Sequence, residues 1–309
     1  MYTISAFQGE PDYFVTVMKK LHLFLIVFAV STAFWAAQPV MSQSIERVEP
    51  PSWWIGMEKP TLQLLVYGDN IASLEPEINY KGVTLQRVTE VENPNYLFLD
   101  LSISPETQPG TFDITFVAQE GDPLTHSYEL QRKDTTKVGA QGFNSTDVIY
   151  LMMPDRFANG NVKNDSISGM LEGADRSDPN ARHGGDLQGV IENLDYIDDL
   201  GMTAIWFTPV FENDMPASYG AYHGYAATDM YRIDRRFGSN DTFLELVEAC
   251  HDRDLKVIMD MIHNHVGDHH WFIKDMPSSD WVHDLDKHGI TNYRGAVWSD
   301  PYASEADLN

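Results

Sequence analysis

The period of apolar residues changes partway along this chain, and that change limits the folds open to it. Between Pro60 and Arg132 apolar side chains alternate with polar ones, as in Leu97, Leu99, Leu101 and Ile103 and again in Phe112, Ile114 and Phe116. A period of two places one face of a strand on a core and the other in solvent. Turn chemistry at Lys81-Gly82, Pro109-Gly110 and Glu120-Gly121-Asp122-Pro123 cuts this stretch into short strands, which predicts an antiparallel, immunoglobulin-like β-sandwich over 46–133. Trp53 and Trp54 suit either a plug at its edge or a ligand contact. The polar, glycine-bearing stretch 134–144 follows as a linker.

Beyond Asn144 the pattern becomes one of continuous apolar runs. VIYLMM (148–153), TAIWF (203–207) and KVIMDM (256–261) are the lengths of strands covered on both faces, as in a parallel sheet. Leu187, Val190, Ile191, Leu194, Ile197 and Leu200 recur at helical spacing, and Gly201 provides a stop, so one helix is predicted between the first two runs. Ser239 can cap a second helix carrying Phe243, Leu244, Leu246, Val247 and Cys250. Strands alternating with helices make 145–309 an α/β domain, either an open doubly wound sheet or a closed barrel. MPDRFANG stands where a nucleotide-binding sheet would carry its glycine-rich turn, which weakens the open alternative. A barrel takes about 250 residues, so this region holds about the first three of its eight strands, and the chain is read as an N-terminal fragment.

Composition narrows the function. With 46 acidic and 21 basic residues the net charge is −25, opposite to what a phosphate backbone attracts, and nucleic acid is excluded as a partner. Met18, Lys19 and Lys20, the apolar run 21–37 and the small residues of QPVMSQS form the pattern of a secretory signal, with cleavage near Ser42. The run is shorter than the roughly 20 residues of a spanning helix. Glu10 and Asp12 suit a basic leader poorly, so residues 1–42 are read as an upstream extension plus signal peptide starting at Met18, with no stable membrane anchor. A periplasmic or secreted protein follows. The lone Cys250 cannot pair within the chain and is expected to be a small core residue.

Five blocks, DVIYLMMPDRFANGN (147–161), HGGDLQG (183–189), GMTAIWFTPV (201–210), YHGYAATDMYRID (222–234) and VIMDMIHNH (257–265), resemble the α-amylase family of glycoside hydrolases in content and order. With the preceding sandwich and PSWWIGM (51–57), the resemblance is to its neopullulanase and cyclomaltodextrinase group, over about residues 46–309. It implies a β-sandwich followed by a partial (β/α)8 barrel with the start of an inserted lobe. It also implies retaining hydrolysis of α-1,4-glucosidic bonds in maltodextrins, cyclodextrins or pullulan, and a homodimer in the full-length protein.

Barrel sites form at the C-terminal ends of strands. There the resemblance implies that His223, Tyr225, Asp260 and His265 contact substrate, Asp260 as a supporting carboxylate held by an arginine close to the nucleophile. A tyrosine ring can cover the apolar face of a pyranose without charge. Each also has a plainer reading: a tyrosine under a loop, a histidine satisfied by its own loop, a carboxylate paired for structure. Tyr222 and Asn264 are weaker candidates. Asn159, Asn161, Asn164, Asp165, Gly184 and Asp186 can offer oxygen ligands, and their spacing resembles the group's structural calcium site. Taken alone, NGNVKND is turn chemistry and Asp186 a helix cap. Retaining glycosidases need a nucleophile and an acid/base, which the family carries after its fourth and fifth strands. No G-x-R-x-D element occurs between 147 and 309, so both carboxylates are expected downstream of Asn309.

Two rivals remain. His263 and His265 after a barrel strand, with His269, His270 and His283 nearby, could mark a metal-dependent amidohydrolase, although such enzymes carry paired histidines on the first strand. The other is a non-catalytic α-glucan-binding protein on an amylase-like barrel. Trp271, Trp281 and Trp298 fall where the family inserts a lobe and are better read as its core than as sugar platforms.

Overall fold

The computed structural model describes residues 43–119, 121–133 and 142–282. The expected signal segment, most of the linker, His283 and Trp298 lie outside the described residues.

The first domain packs two four-stranded sheets face to face. One has the order β1 (Ile45–Glu49), β3 (Thr61–Gly68), β6 (Tyr96–Ile103), β5 (Val83–Glu90). The other runs β2 (Ser52–Ile55), β8 (Leu124–Arg132), β7 (Gly110–Val117), β4 (Glu75–Ile78). The alternating positions supply the core: Leu97, Leu99, Leu101 and Ile103 from one sheet meet Phe112, Ile114 and Phe116 from the other. One pairing departs from the antiparallel expectation, because β2 runs parallel to β8. Only Pro50 and Pro51 separate β1 from β2, and without N–H donors they end one ladder while the chain crosses to the opposite sheet still travelling the same way.

In the second domain β9 (Ile149–Met152), β10 (Ala204–Phe207) and β13 (Lys256–Met259) form a parallel sheet with β10 in the centre, in register through Leu151, Trp206 and Ile258. The helix predicted over Leu187–Leu200 is two short ones, α1 (Leu187–Glu192) and α2 (Leu194–Asp199). Asn193 interrupts them at φ −117° and ψ 19°, its side-chain amide donating to the Gly189 carbonyl over 2.7 Å. Asparagine competes for backbone groups in this way, and periodicity does not register it. Helix α3 (Asn240–His251) begins where predicted, Ser239 Oγ accepting from the Thr242 N–H. Leu246 and Cys250 face the core, but Leu244, read as apolar-face, is 61% exposed. Burial pushes the Cys250 thiol up to about 12, consistent with an unreactive core residue.

The apolar runs are covered on one face, whereas two were expected. Met152, Ile205 and Phe207 pack beneath the helices with Leu187, Val190, Leu194 and Leu246. Leu151 and Trp206, on the opposite face, are 61% and 40% exposed. That face is the one a barrel turns inward, where covering requires strands from the far side. A two-stranded ladder, β11 (Phe211–Glu212) with β12 (Asp229–Ile233), projects beyond β10 and holds the loop 213–228 between its arms. The final short helix, α4 (Trp271–Lys274), lies against the first domain. Among the described residues no helix is long and apolar enough to cross a membrane.

Candidate functional site

Polar side chains gather just past the C-terminal ends of β10 and β13, as a parallel α/β sheet dictates. Asp260 directly follows β13, and its Oδ2 accepts from the Tyr225 phenol over 3.0 Å and the Trp206 indole N–H over 3.2 Å. Burial, then the bond to Asp260 and its charge, push the Tyr225 phenol up to about 12, so it stays a donor at neutral pH. Trp206 reads in the sequence only as part of an apolar strand, and it is the register with the exposed Leu151 that places its indole on the open face beside Asp260.

The turn bearing His223 and Tyr225 is held from below. Gly224 has φ 88°, and a β-carbon there would lie 2.0 Å from the Pro209 carbonyl oxygen, so the close approach of the turn to the β10 exit requires glycine. The buried Asn213 amide donates to the Ala221 carbonyl at the start of the turn. His223 Nδ1 accepts the Tyr225 N–H over 3.0 Å. Burial, followed by the Arg182 charge and His265, draws the His223 imidazole down to about 4. The ring is therefore neutral at pH 7 with its proton on Nε2, a donor suited to a hydroxyl.

His265 is buried, and its Nε2 must donate to the Tyr225 carbonyl, 2.9 Å away, because a carbonyl only accepts. Its Nδ1 faces the Asn264 amide at 3.3 Å. His265 thus joins the loop after β13 to the Tyr225 turn, and both its nitrogens already have protein neighbours. Tyr222 stands apart: the Arg156 guanidinium covers its ring at 3.8 Å from the centroid. His263 is exposed, and no group of three or more His, Cys, Asp or Glu suited to a metal occurs among the described residues.

The oxygen-rich loop after β9 divides its six candidates. Asn159 Nδ2 donates to Asp165 Oδ1 over 2.6 Å, and the face of Gly184 lies against both, a β-carbon there meeting Asp165 Oδ1 at 2.8 Å. The Oδ1 atoms of Asn159 and Asn164 are buried without a hydrogen-bond partner, which suits a hard cation. Asn161 is exposed and its Oδ1 accepts from Lys163 N within its own turn. Asp186 caps α1 through the Gly189 N–H at 2.7 Å and accepts from Gly160 and Asn161 N–H groups at 3.1 and 2.8 Å. Asn159, Asn164, Asp165 and Gly184 come together and could hold a calcium ion, while the Asn161 and Asp186 side chains already accept hydrogen bonds from the loop backbone.

Spacing gave no sign of the charges beneath the site. Arg182, 1% exposed, pairs with Asp234 at 3.1 Å and faces Glu172 at 3.7 Å, while Arg236 holds Asp234 at 2.9 Å. Burial would raise the Asp234 carboxyl, but Arg182 and Arg236 overcome it and hold it well below the usual range. Both arginines also reach the Asn213 carbonyl, at 3.3 and 2.8 Å, tying the loop after β9 to the one that carries His223.

A sandwich followed by parallel β-α units, with a polar site at the strand ends, defines an α/β-barrel protein with an N-terminal β-domain. Residues 151–305, half of the chain, match the family described as alpha amylase, catalytic domain, and residues 47–134 match cyclomaltodextrinase, N-terminal. The chain belongs to the α-amylase family. It is 43% identical over 143 residues to a beta/alpha-amylase of Paenibacillus polymyxa, covering 45% of this chain and 12% of that protein. Identity with a cyclomaltodextrinase of a Bacillus species is 39% over 120 residues, covering 39% of this chain and 20% of that protein. For neopullulanase 2 of Thermoactinomyces vulgaris it is 40% over 131 residues, covering 42% and 21%. The chain therefore spans a fifth or less of the length of the first two relatives and about a fifth of the third.

Proposed function

We propose that the protein is a glycosidase of the cyclomaltodextrinase and neopullulanase type, cleaving α-1,4-glucosidic bonds of maltodextrins, cyclodextrins or pullulan with retention of configuration. The observation that carries this reading is the meeting of Tyr225, on the loop beyond β10, with Asp260, 35 positions on at the end of the adjacent parallel strand β13. Tyr225 offers its ring to a pyranose face, and Asp260 orients that ring. His223 donates from Nε2 to a hydroxyl, and His265 fixes the turn to the neighbouring loop. Asp260 already accepts two hydrogen bonds, so its role is support. The names of the similar enzymes support the substrate class. Calcium, held by Asn159, Asn164, Asp165 and the Gly184 carbonyl, would tie the loop after β9 to the start of α1. Export to the periplasm or medium and a homodimer belong to the same reading.

A non-catalytic glucan binder is the second reading, favoured by the commitment of Asp260 to Tyr225 and Trp206. Incubating the complete gene product with maltodextrin, β-cyclodextrin and pullulan, with product anomers followed by NMR, separates them. Release of α-anomeric products supports the glycosidase. Binding without turnover leaves the second reading, and neither binding nor turnover ends both.

A further inference from the structure

The stretch 260–267 that carries His265 has no helix or strand of its own, so its position depends on what holds it. On the site side it is fastened by His265 to the Tyr225 carbonyl, by Gly267 N–H to the Ala227 carbonyl at 2.9 Å, and by the Tyr219 phenol to Asp268 Oδ2 at 2.6 Å. The continuing chain is fastened by the first domain. Asp275 Oδ2 accepts from the Tyr67 phenol at 3.1 Å and the Asn95 amide at 2.8 Å, and Oδ1 from the Asn93 amide at 2.5 Å. The Tyr96 phenol donates to the Asp275 carbonyl, and the Asn93 N–H to the Pro277 carbonyl at 3.0 Å. Trp271 fills the space between, 5.9 Å from Tyr96 with ring planes 10° apart and 5.0 Å from Tyr67, with the Arg47 guanidinium over its ring at 5.0 Å from the centroid.

These sandwich donors come from the ends of β3 and β6 and the turn before β6. They meet one carboxylate ten residues beyond His265. Removing that carboxylate leaves three part-buried donors without their shared acceptor, a loss that falls on the contact between domains and spares the core of either. We infer that Asp275 is a positioning residue through which the β-sandwich fixes the His265 loop, so that the first domain takes part in carbohydrate binding without touching sugar. The carbohydrate part rests on the proposed function; the fixing of the loop does not.

The test compares wild type, Asp275→Ala, Asp275→Asn and Asn95→Ala in the whole 309-residue chain. Two readouts are used: hydrogen–deuterium exchange and titration with maltoheptaose followed by tryptophan fluorescence. Asp275→Ala is expected to speed exchange across 264–274 about tenfold or more with β3 and β6 unchanged, the signature of a local opening. It is expected to weaken maltoheptaose binding about tenfold, the scale of one or two net hydrogen bonds. Asp275→Asn keeps one acceptor oxygen and should fall between. Asn95→Ala attacks the same contact from the other domain and covers the case in which Asp275→Ala does not fold. Unchanged exchange over 264–274 in the folded variants overturns the inference. Faster exchange with unaltered affinity overturns its carbohydrate part. Faster exchange in a chain with no maltoheptaose affinity at all keeps the positioning role and removes the glucan reading instead.

Discussion

The Tyr225 phenol donates to the Asp260 carboxylate over 3.0 Å, joining the turn beyond β10 to the end of β13. One bond therefore sets both the tilt of an aromatic ring and the direction of a carboxylate at the mouth of the sheet. Tyr225→Phe keeps the ring and removes the bond. It should cost about 1 kcal/mol, roughly fivefold in maltooligosaccharide affinity by calorimetry, and Tyr225→Ala should cost several times more. Equal losses for the two would show that the ring is not the contact.

Gly224 lies against the Pro209 carbonyl, with 2.0 Å left for any β-carbon. Gly224→Ala combines that clash with a positive φ and should destabilise the turn by about 2 kcal/mol or more. The melting temperature should fall by several degrees and glucan binding should be lost. An alanine variant that melts and binds like wild type would mean that the turn is not built this way.

Acid should destabilise the protein through two histidines. His223 and His270 are both drawn from 6.5 to about 4, chiefly by burial. The unfolded chain binds their protons first, so the stability they contribute is full above pH 6.5 and is lost as pH falls towards 4. Glu49 acts in the opposite sense: burial raises it to about 6 despite Arg47, so over the same range the folded state takes up its proton first. Urea midpoints between pH 7 and 4 should decline in wild type, decline more steeply in Glu49→Gln, and flatten in His270→Gln. An unchanged slope in both variants contradicts these assignments.

If calcium occupies the loop after β9, adding it should raise the melting temperature and a chelator should reverse the rise. At a hundredfold excess over Kd the gain is about 2.7 kcal/mol. Asp165→Ala should abolish the response, whereas Asn161→Ala, on an exposed side chain, should leave most of it. A melting curve indifferent to calcium in the wild-type chain rules the site out.

Arg182 is fully buried among Asp234, Glu172 and Arg236. Arg182→Ala leaves buried carboxylates short of a partner and should cost about 3 to 5 kcal/mol. Thermal denaturation that shifts by less than a degree would place the stabilisation elsewhere.

Much of this architecture was legible in the residues. The change from alternation to continuous runs marked the two domains, and Ser239 and Asp186 announced helix starts because a cap needs only a side chain three residues from its partner N–H. The break at Asn193 escaped because its competing bond, to Gly189, is invisible to a hydrophobic pattern. His223, Tyr225, Asp260 and His265 are singled out by the resemblance of their motifs alone, and neither motif nor spacing shows the bonds that join Tyr225 to Asp260 and His265.

Sequence alone determined which face of the sandwich strands is apolar and where the capped helices begin. Those properties depend on neighbours a few positions away. Tertiary structure decided that Trp206 shares Asp260 with Tyr225, that Arg182 lies sealed between two loops, and that Asp275 is gripped by the first domain from about 180 residues away. Alternation marks the buried face of the sandwich strands because it is a local property, whereas the choice of partner for a polar group is made only when distant segments pack and each donor must find an acceptor out of reach of water.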